Sequence, residues 1–76
     1  MSKPKKLRVL IKNAKMGKPT YMYRLGLCYQ LGRDVPADLN EAAKWISAAA
    51  ESGYEPAVEW IKDYAFDDDA LVQSNA

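Results

Sequence analysis

The 76-residue chain contains no histidine and only one cysteine, which leaves little for enzyme chemistry. Histidine is the commonest general base and a frequent metal ligand near neutral pH, so its absence removes the usual catalytic and metal sites. We expect Cys28, on an apolar helical face, to be buried filler and not a nucleophile. The sequence therefore predicts a protein that is not an enzyme and that holds no cofactor or metal.

Long apolar runs and paired cysteines are also missing. No stretch approaches the roughly 20 apolar residues that a transmembrane helix needs, and the short, interrupted apolar piece near the N-terminus does not fit a signal peptide. A lone cysteine cannot form an internal disulfide, which fits a reducing compartment. We therefore expect a cytoplasmic protein with no membrane partner.

Acidic residues are absent from the first 24 positions, although the net charge of the chain is only +1. This segment holds eight Lys or Arg residues, whereas positions 35–76 hold two against nine acids. Such asymmetry bears on partners more than on fold. Three interpretations stay open: a solvated surface, contact with nucleic-acid phosphates, and docking onto an acidic protein, including the acidic end of another copy. The predicted basic patch consists of Lys5, Lys6, Lys12 and Lys15.

Four helical runs, separated by glycine and proline, make up most of what the sequence does contain. Apolar residues recur along each run at the three- and four-residue spacing of a helix face. Gly17, Gly32 and Gly53 stand where left-handed residues commonly end helices. Pro19 and Pro56 stand in first turns, where a missing amide proton costs no hydrogen bond. The predicted helices run from Lys5 to Met16, from about Pro19 to Leu31, from Leu39 to Ser52, and from about Glu55 to about Phe66.

Local features of the middle helices predict how they begin and pack. Asp38, followed three residues later by Glu41, indicates a capping box at the start of the third helix. Gly26 lowers helix propensity by roughly 1 kcal/mol relative to Ala, and its position inside the second helix indicates that a neighbouring helix comes close. The expected core residues include Leu25, Tyr29 and Trp45.

The chain also contains an internal repeat. Gly17 and Gly53 stand 36 positions apart, and Leu25 and Ile61 share the same offset. A fixed offset of this size, with a helix–turn–helix unit inside it, is typical of an α-solenoid. We predict an all-α fold, a short α-solenoid of about four antiparallel helices in a single domain over 1–76, with flexible tails at about 1–4 and 68–76.

Many residues of the central stretch keep the spacing of one known pattern. They are Leu25, Gly26, Tyr29, Gly32, Val35, Asp38, Ala42, Trp45, Ala49, Ala50, Gly53 and Ala57. This spacing resembles the Sel1-like repeat, a relative of the tetratricopeptide repeat, with one complete repeat at about 21–57 and half-repeats on either side. Tyr21 departs from the pattern, since its large ring either crowds the packing or turns outward. Asp34 replaces a glycine of the turn, which a positive φ at Asp would accommodate.

The resemblance implies a binding function, because such repeats generally serve as scaffolds and adaptors with varied partners. Their A helices line a concave surface, which makes one face of the second helix the expected contact surface. We predict a non-enzymatic protein–protein interaction module, a small adaptor or inhibitor of bacterial or phage type that docks on a larger protein. The predicted partner-binding residues are Tyr21, Tyr23, Arg24, Leu27, Gln30 and Trp60.

Two further interpretations stay open. The alternative function is a nucleic-acid-associated factor that uses the basic N-terminal helix, with affinity falling steeply as salt rises. Self-association through the end helices is the second, because the ends differ in charge and the fourth helix carries a wide apolar surface. The acidic run at 67–69 lacks the ligand alternation of a calcium loop, so we expect no metal there.

Overall fold

A computed structural model describes residues 4–63, which form helices and turns without strands. Helix α1 spans Lys5–Lys15, α2 spans Pro19–Leu31 and α3 spans Leu39–Glu51. A fourth helix, α4, begins at residue 55 and continues to the end of the described part. The predicted all-α, four-helix organisation is therefore confirmed, with α1 and α3 each one residue shorter than expected. The predicted end of α4, the acidic run and the predicted C-terminal tail lie outside the described residues.

The turn between α2 and α3 contains two residues in the left-handed region. Gly32, with φ of +70°, follows α2, and Asp34 has φ of +64°. Among non-glycine residues, Asp is one of the few that adopt this region readily. Asp34 therefore keeps the turn at a position where the family pattern has glycine.

The N-terminus of α3 is capped by Asp38, as the sequence predicts. Its carboxylate accepts hydrogen bonds from the amides of Asn40 at 3.0 Å and Glu41 at 3.1 Å. The reciprocal half of a capping box is replaced, since the Asp38 amide donates to the carbonyl of Tyr29 at 2.9 Å. The prediction of a full capping box is therefore wrong, because that amide already ties the end of α2 to the start of α3.

The core forms where α2 packs against α1 and α3. Leu7, Leu25 and Ile46 are its largest fully buried side chains. At Gly26, a Cβ atom would overlap Cγ1 of Ile46 and lie 3.0 Å from the carbonyl oxygen of Ala42. The close approach of α3 to this glycine is therefore confirmed, and it fixes the spacing of the central helix pair.

Two aromatic residues predicted for the core lie at its margin. Tyr29 and Trp45 are half-buried and pack against the buried cluster, whereas Leu25 lies inside it. Large rings are seldom fully enclosed, and both side chains keep part of their surface exposed. The two residues therefore pack against the core as predicted, but they are only partly buried.

Candidate functional site

An open groove of about 630 Å³ runs between α1 and α2. Its floor is apolar and includes Val9 and Leu10 from α1, and Leu27 and Leu31 from α2. Leu31 keeps 65% of its surface exposed and Val9 keeps 45%. Single exposed apolar residues are ordinary on protein surfaces, but neighbouring ones in a concave site indicate a place where a ligand or partner binds.

Four positive side chains line the same groove. They are Lys5, Lys6, Arg24 and Arg33, here called the groove cations, and Asp34 is the one acidic residue beside them within residues 4–63. The two ion pairs within residues 4–63 lie on α3 and α4, and neither includes a groove cation. Positive charge in the groove is therefore left without a carboxylate partner in this part of the chain.

Three predicted partner-binding residues lie in this groove. Tyr21, Arg24 and Leu27 all line it, although they come from different positions along α2. The ammonium of Lys18 lies 5.9 Å from the centroid of the Tyr21 ring. The Tyr21 side chain is half-buried: it packs against the buried cluster and also lines the groove.

The other three predicted residues lie at the contact between α2 and the α4 region. The rings of Tyr23 and Tyr54 are 5.5 Å apart at an interplanar angle of 57°. The indole N–H of Trp60 donates to Oε1 of Gln30 at 3.0 Å. The sequence predicted that these side chains contact a partner protein. In the structure they contact each other, because α4 packs beside this face of α2.

The predicted basic patch divides between two surfaces. Lys5 and Lys6 line the groove, whereas Lys12 and Lys15 line a second hollow of about 520 Å³ with Arg8. At about 100° per residue, Lys6 and Lys15 lie on opposite sides of α1, whereas Lys5 and Lys12 share a side and lie about two turns apart along the axis. The structure therefore does not bring the four lysines together.

Cys28 lines the groove and is half-buried, so the prediction of buried filler is wrong. Burial raises the pKa of its thiol, the Asp34 carboxylate adds to that rise, and Arg33 opposes it. A raised pKa lowers the fraction of reactive thiolate at neutral pH. Cys28 is thus accessible from the groove but poorly suited to act as a nucleophile.

Sequence reasoning did not assign Val9, Leu31 or Arg33 to the site. Leu31 follows Arg24 by seven residues and Leu27 by four, a spacing that places all three on one helix face. That spacing was available in the sequence as a signal. The open space beside it was not, because it depends on how α1 leans against α2.

Two negative findings apply to residues 4–63. They contain no group of three acidic or cysteine side chains arranged to hold a metal ion. No helix in this range combines the length and apolar character required to cross a membrane.

Comparison with known families identifies the central helix pair. Residues 19–54 match the family model of the Sel1 repeat. The matched segment starts at the first residue of α2 and ends just after α3. Comparison with curated proteins and with solved structures gives no match.

Sel1 repeats form all-α solenoids of the tetratricopeptide type, are non-catalytic, and generally mediate protein–protein interaction. The matched segment supplies one wall of the groove, α2, and the helix that supports it, α3. Residues 19–54 of the chain therefore match the Sel1 repeat, in agreement with the resemblance that the sequence pattern indicates.

Proposed function

We propose that this protein is a non-enzymatic docking module, a small adaptor or inhibitor that binds a larger protein through the groove between α1 and α2. The observation that carries the proposal is the combination of an apolar floor with four cations that have no ion-pair partner in residues 4–63. The interaction role of Sel1 repeats in general supports it. A cytoplasmic setting, supported by the lone cysteine, is part of the same proposal.

The predicted partner-binding residues serve this function in two ways. Tyr21, Arg24 and Leu27 line the groove and contact the partner directly. Gln30 and Trp60, with the Tyr23 ring, hold α4 against α2 and keep the docking helix in place. Tyr and Arg are enriched at the centres of protein interfaces, so Tyr21 and Arg24 are the strongest contact residues of this set.

Two equally exposed leucines, one inside the groove and one outside it, provide the test. Leu31 lines the groove and Leu39 does not, yet both keep 65% of their surface exposed. Affinity capture from nuclease-treated lysate of the cells that make the protein is compared for wild type, Leu31→Gln and Leu39→Gln by quantitative mass spectrometry. We expect a defined protein to be retained by wild type and Leu39→Gln and lost from Leu31→Gln. Equal capture by both variants would contradict docking through the groove.

A nucleic-acid-associated role is the second candidate, because the exposed basic residues Arg8, Lys12 and Lys15 line a second hollow on α1. Among residues 4–63, no aromatic side chain lines that hollow, so this part of the chain offers no platform there for the base stacking that supports single-strand binding. The two candidate functions predict different effects when charge is removed from the second hollow. Nucleic-acid binding falls steeply with salt and with the double substitution Lys12→Ala and Lys15→Ala, which leaves protein docking in the groove unchanged.

A further inference from the structure

We infer that the groove binds an acidic amphipathic helix of the partner protein, with its apolar side chains on the groove floor and its carboxylates against the groove cations. This inference rests on the proposed function and specifies the chemistry of the partner segment. If the inference holds, the groove requires acidic residues in its partner helix and does not accept every apolar segment.

Charge complementarity gives the partner its sign. In the part of the chain that the structure describes, the groove is lined by the four groove cations and by one carboxylate, that of Asp34. An approaching basic segment would meet these charges unscreened, whereas an acidic segment would pair with them while its apolar face covers the floor. Complementary charge speeds association and rejects partners of the same sign.

The walls of the groove give the partner its backbone conformation. Both walls are α-helices, whose amides and carbonyls are bonded along the helix, and residues 4–63 offer no strand edge for an added strand. Recognition therefore depends on side chains, which suits a helix laid into a groove. A helix presents apolar residues at spacings of three and four on one side and leaves acidic residues for the rim.

The length of the groove limits the partner segment. Its α2 wall runs from Tyr21 to Leu31, which at a rise of 1.5 Å per residue is about 15 Å. That length accommodates roughly three helical turns, or about ten residues, with apolar side chains at the first, fourth or fifth, and eighth positions.

The cations are not spread evenly along the groove. Because α1 and α2 form an antiparallel hairpin, Lys5 and Lys6 at the start of α1 lie near the end of α2, where Leu31 and Arg33 also stand. Arg24 lies about two turns away along α2. The partner helix therefore carries most of its carboxylates toward one end.

Selection from a random 12-residue peptide library displayed on phage tests the inference without assuming a sequence. We expect the enriched peptides to combine Asp or Glu with apolar residues at helical spacing, and to bind more weakly as salt rises. The double substitution Arg24→Glu and Arg33→Glu should weaken their binding at least roughly tenfold, measured by fluorescence anisotropy. The matched control, Lys12→Glu with Lys15→Glu, should leave affinity unchanged.

The outcomes distinguish the inference from the function beneath it. Enriched peptides that are neutral or basic, yet lose binding in Leu31→Gln, would overturn the acidic-helix inference and leave groove docking intact. Enriched peptides that are insensitive to Leu31→Gln and to both charge reversals would count against groove docking as well. A synthetic peptide with the sequence of residues 64–76 is tested alongside, and if it binds as tightly as the selected peptides, the occupant is this chain's own C-terminal segment, from the same or a second copy, and the inference fails.

Discussion

At the scale of single residues, Gly26 determines how closely the two central helices pack. A side chain there would meet Ile46 and the backbone of Ala42. The sequence predicted this close approach. A glycine inside a helix lowers helix propensity, and its missing side chain allows a neighbouring helix to come near. The identity of the neighbour could not be predicted, since it depends on the crossing of α2 and α3.

Replacement of this glycine gives a prediction whose sign is informative. Propensity alone makes Gly26→Ala more stable by about 1 kcal/mol. Overlap with Ile46 reverses that gain, and we expect the free energy of unfolding to fall by about 1–3 kcal/mol. Urea unfolding followed by circular dichroism measures the difference. A variant more stable than wild type would show that α3 does not pack against Gly26 in solution.

Cys28 gives a second prediction at this scale. Burial first, and the Asp34 carboxylate second, raise the pKa of its thiol, so its alkylation by iodoacetamide should need a higher pH in the folded chain than in urea. By linkage, this thiol contributes stability below the pKa of the unfolded thiol, and the contribution is lost as pH rises through the folded pKa. An alkylation midpoint that is the same in urea and in buffer would contradict the assigned environment.

At the scale of elements, the helices themselves were predictable because their signals are local. Gly17 and Gly32 follow helices in left-handed conformation, and Pro19 opens α2. Packing between elements was less predictable. Tyr23 and Gln30 lie on the same broad face of α2 as Arg24 and Leu27. The periodicity of the sequence does not show which of these residues α4 contacts.

The contact between α2 and α4 is tested by a pair of tryptophan variants. Trp60→Phe removes the indole N–H that donates to Gln30. Trp45→Phe is the matched control, since its ring is also half-buried and loses the same volume. We expect Trp60→Phe to lower the free energy of unfolding by about 1 kcal/mol more than Trp45→Phe does, measured in urea. Equal losses would mean that this hydrogen bond does not stabilise the position of α4.

This contact also affects how binding data should be interpreted. Tyr23→Ala removes the ring that packs on Tyr54, so reduced partner binding in that variant could arise from a displaced α4. Variants of exposed groove residues avoid the difficulty. Leu31→Gln changes the docking surface while leaving the buried cluster intact.

At the scale of the whole molecule, the folded chain distributes the basic residues of its N-terminal segment over two surfaces, the groove and the second hollow. The sequence predicted a basic N-terminal segment, but not that Lys5 and Lys6 would line the groove while Lys12 and Lys15 line a separate hollow. Fold class followed from glycine spacing and the repeat offset, which are properties of the sequence itself. The shape of the groove depends on the angle between α1 and α2, and patterns in a single sequence do not give that angle.

The position of Cys28 in the groove provides the most direct test of the central claim, that partners bind between α1 and α2. A Lys12→Cys variant carries a second thiol in the second hollow on α1, outside the groove lining. Alkylation of both thiols is followed by mass spectrometry, with and without the protein recovered by affinity capture. Docking in the groove predicts that the partner slows alkylation at Cys28 several-fold and leaves the rate at position 12 unchanged. An unchanged rate at Cys28 in the presence of saturating partner would contradict the claim.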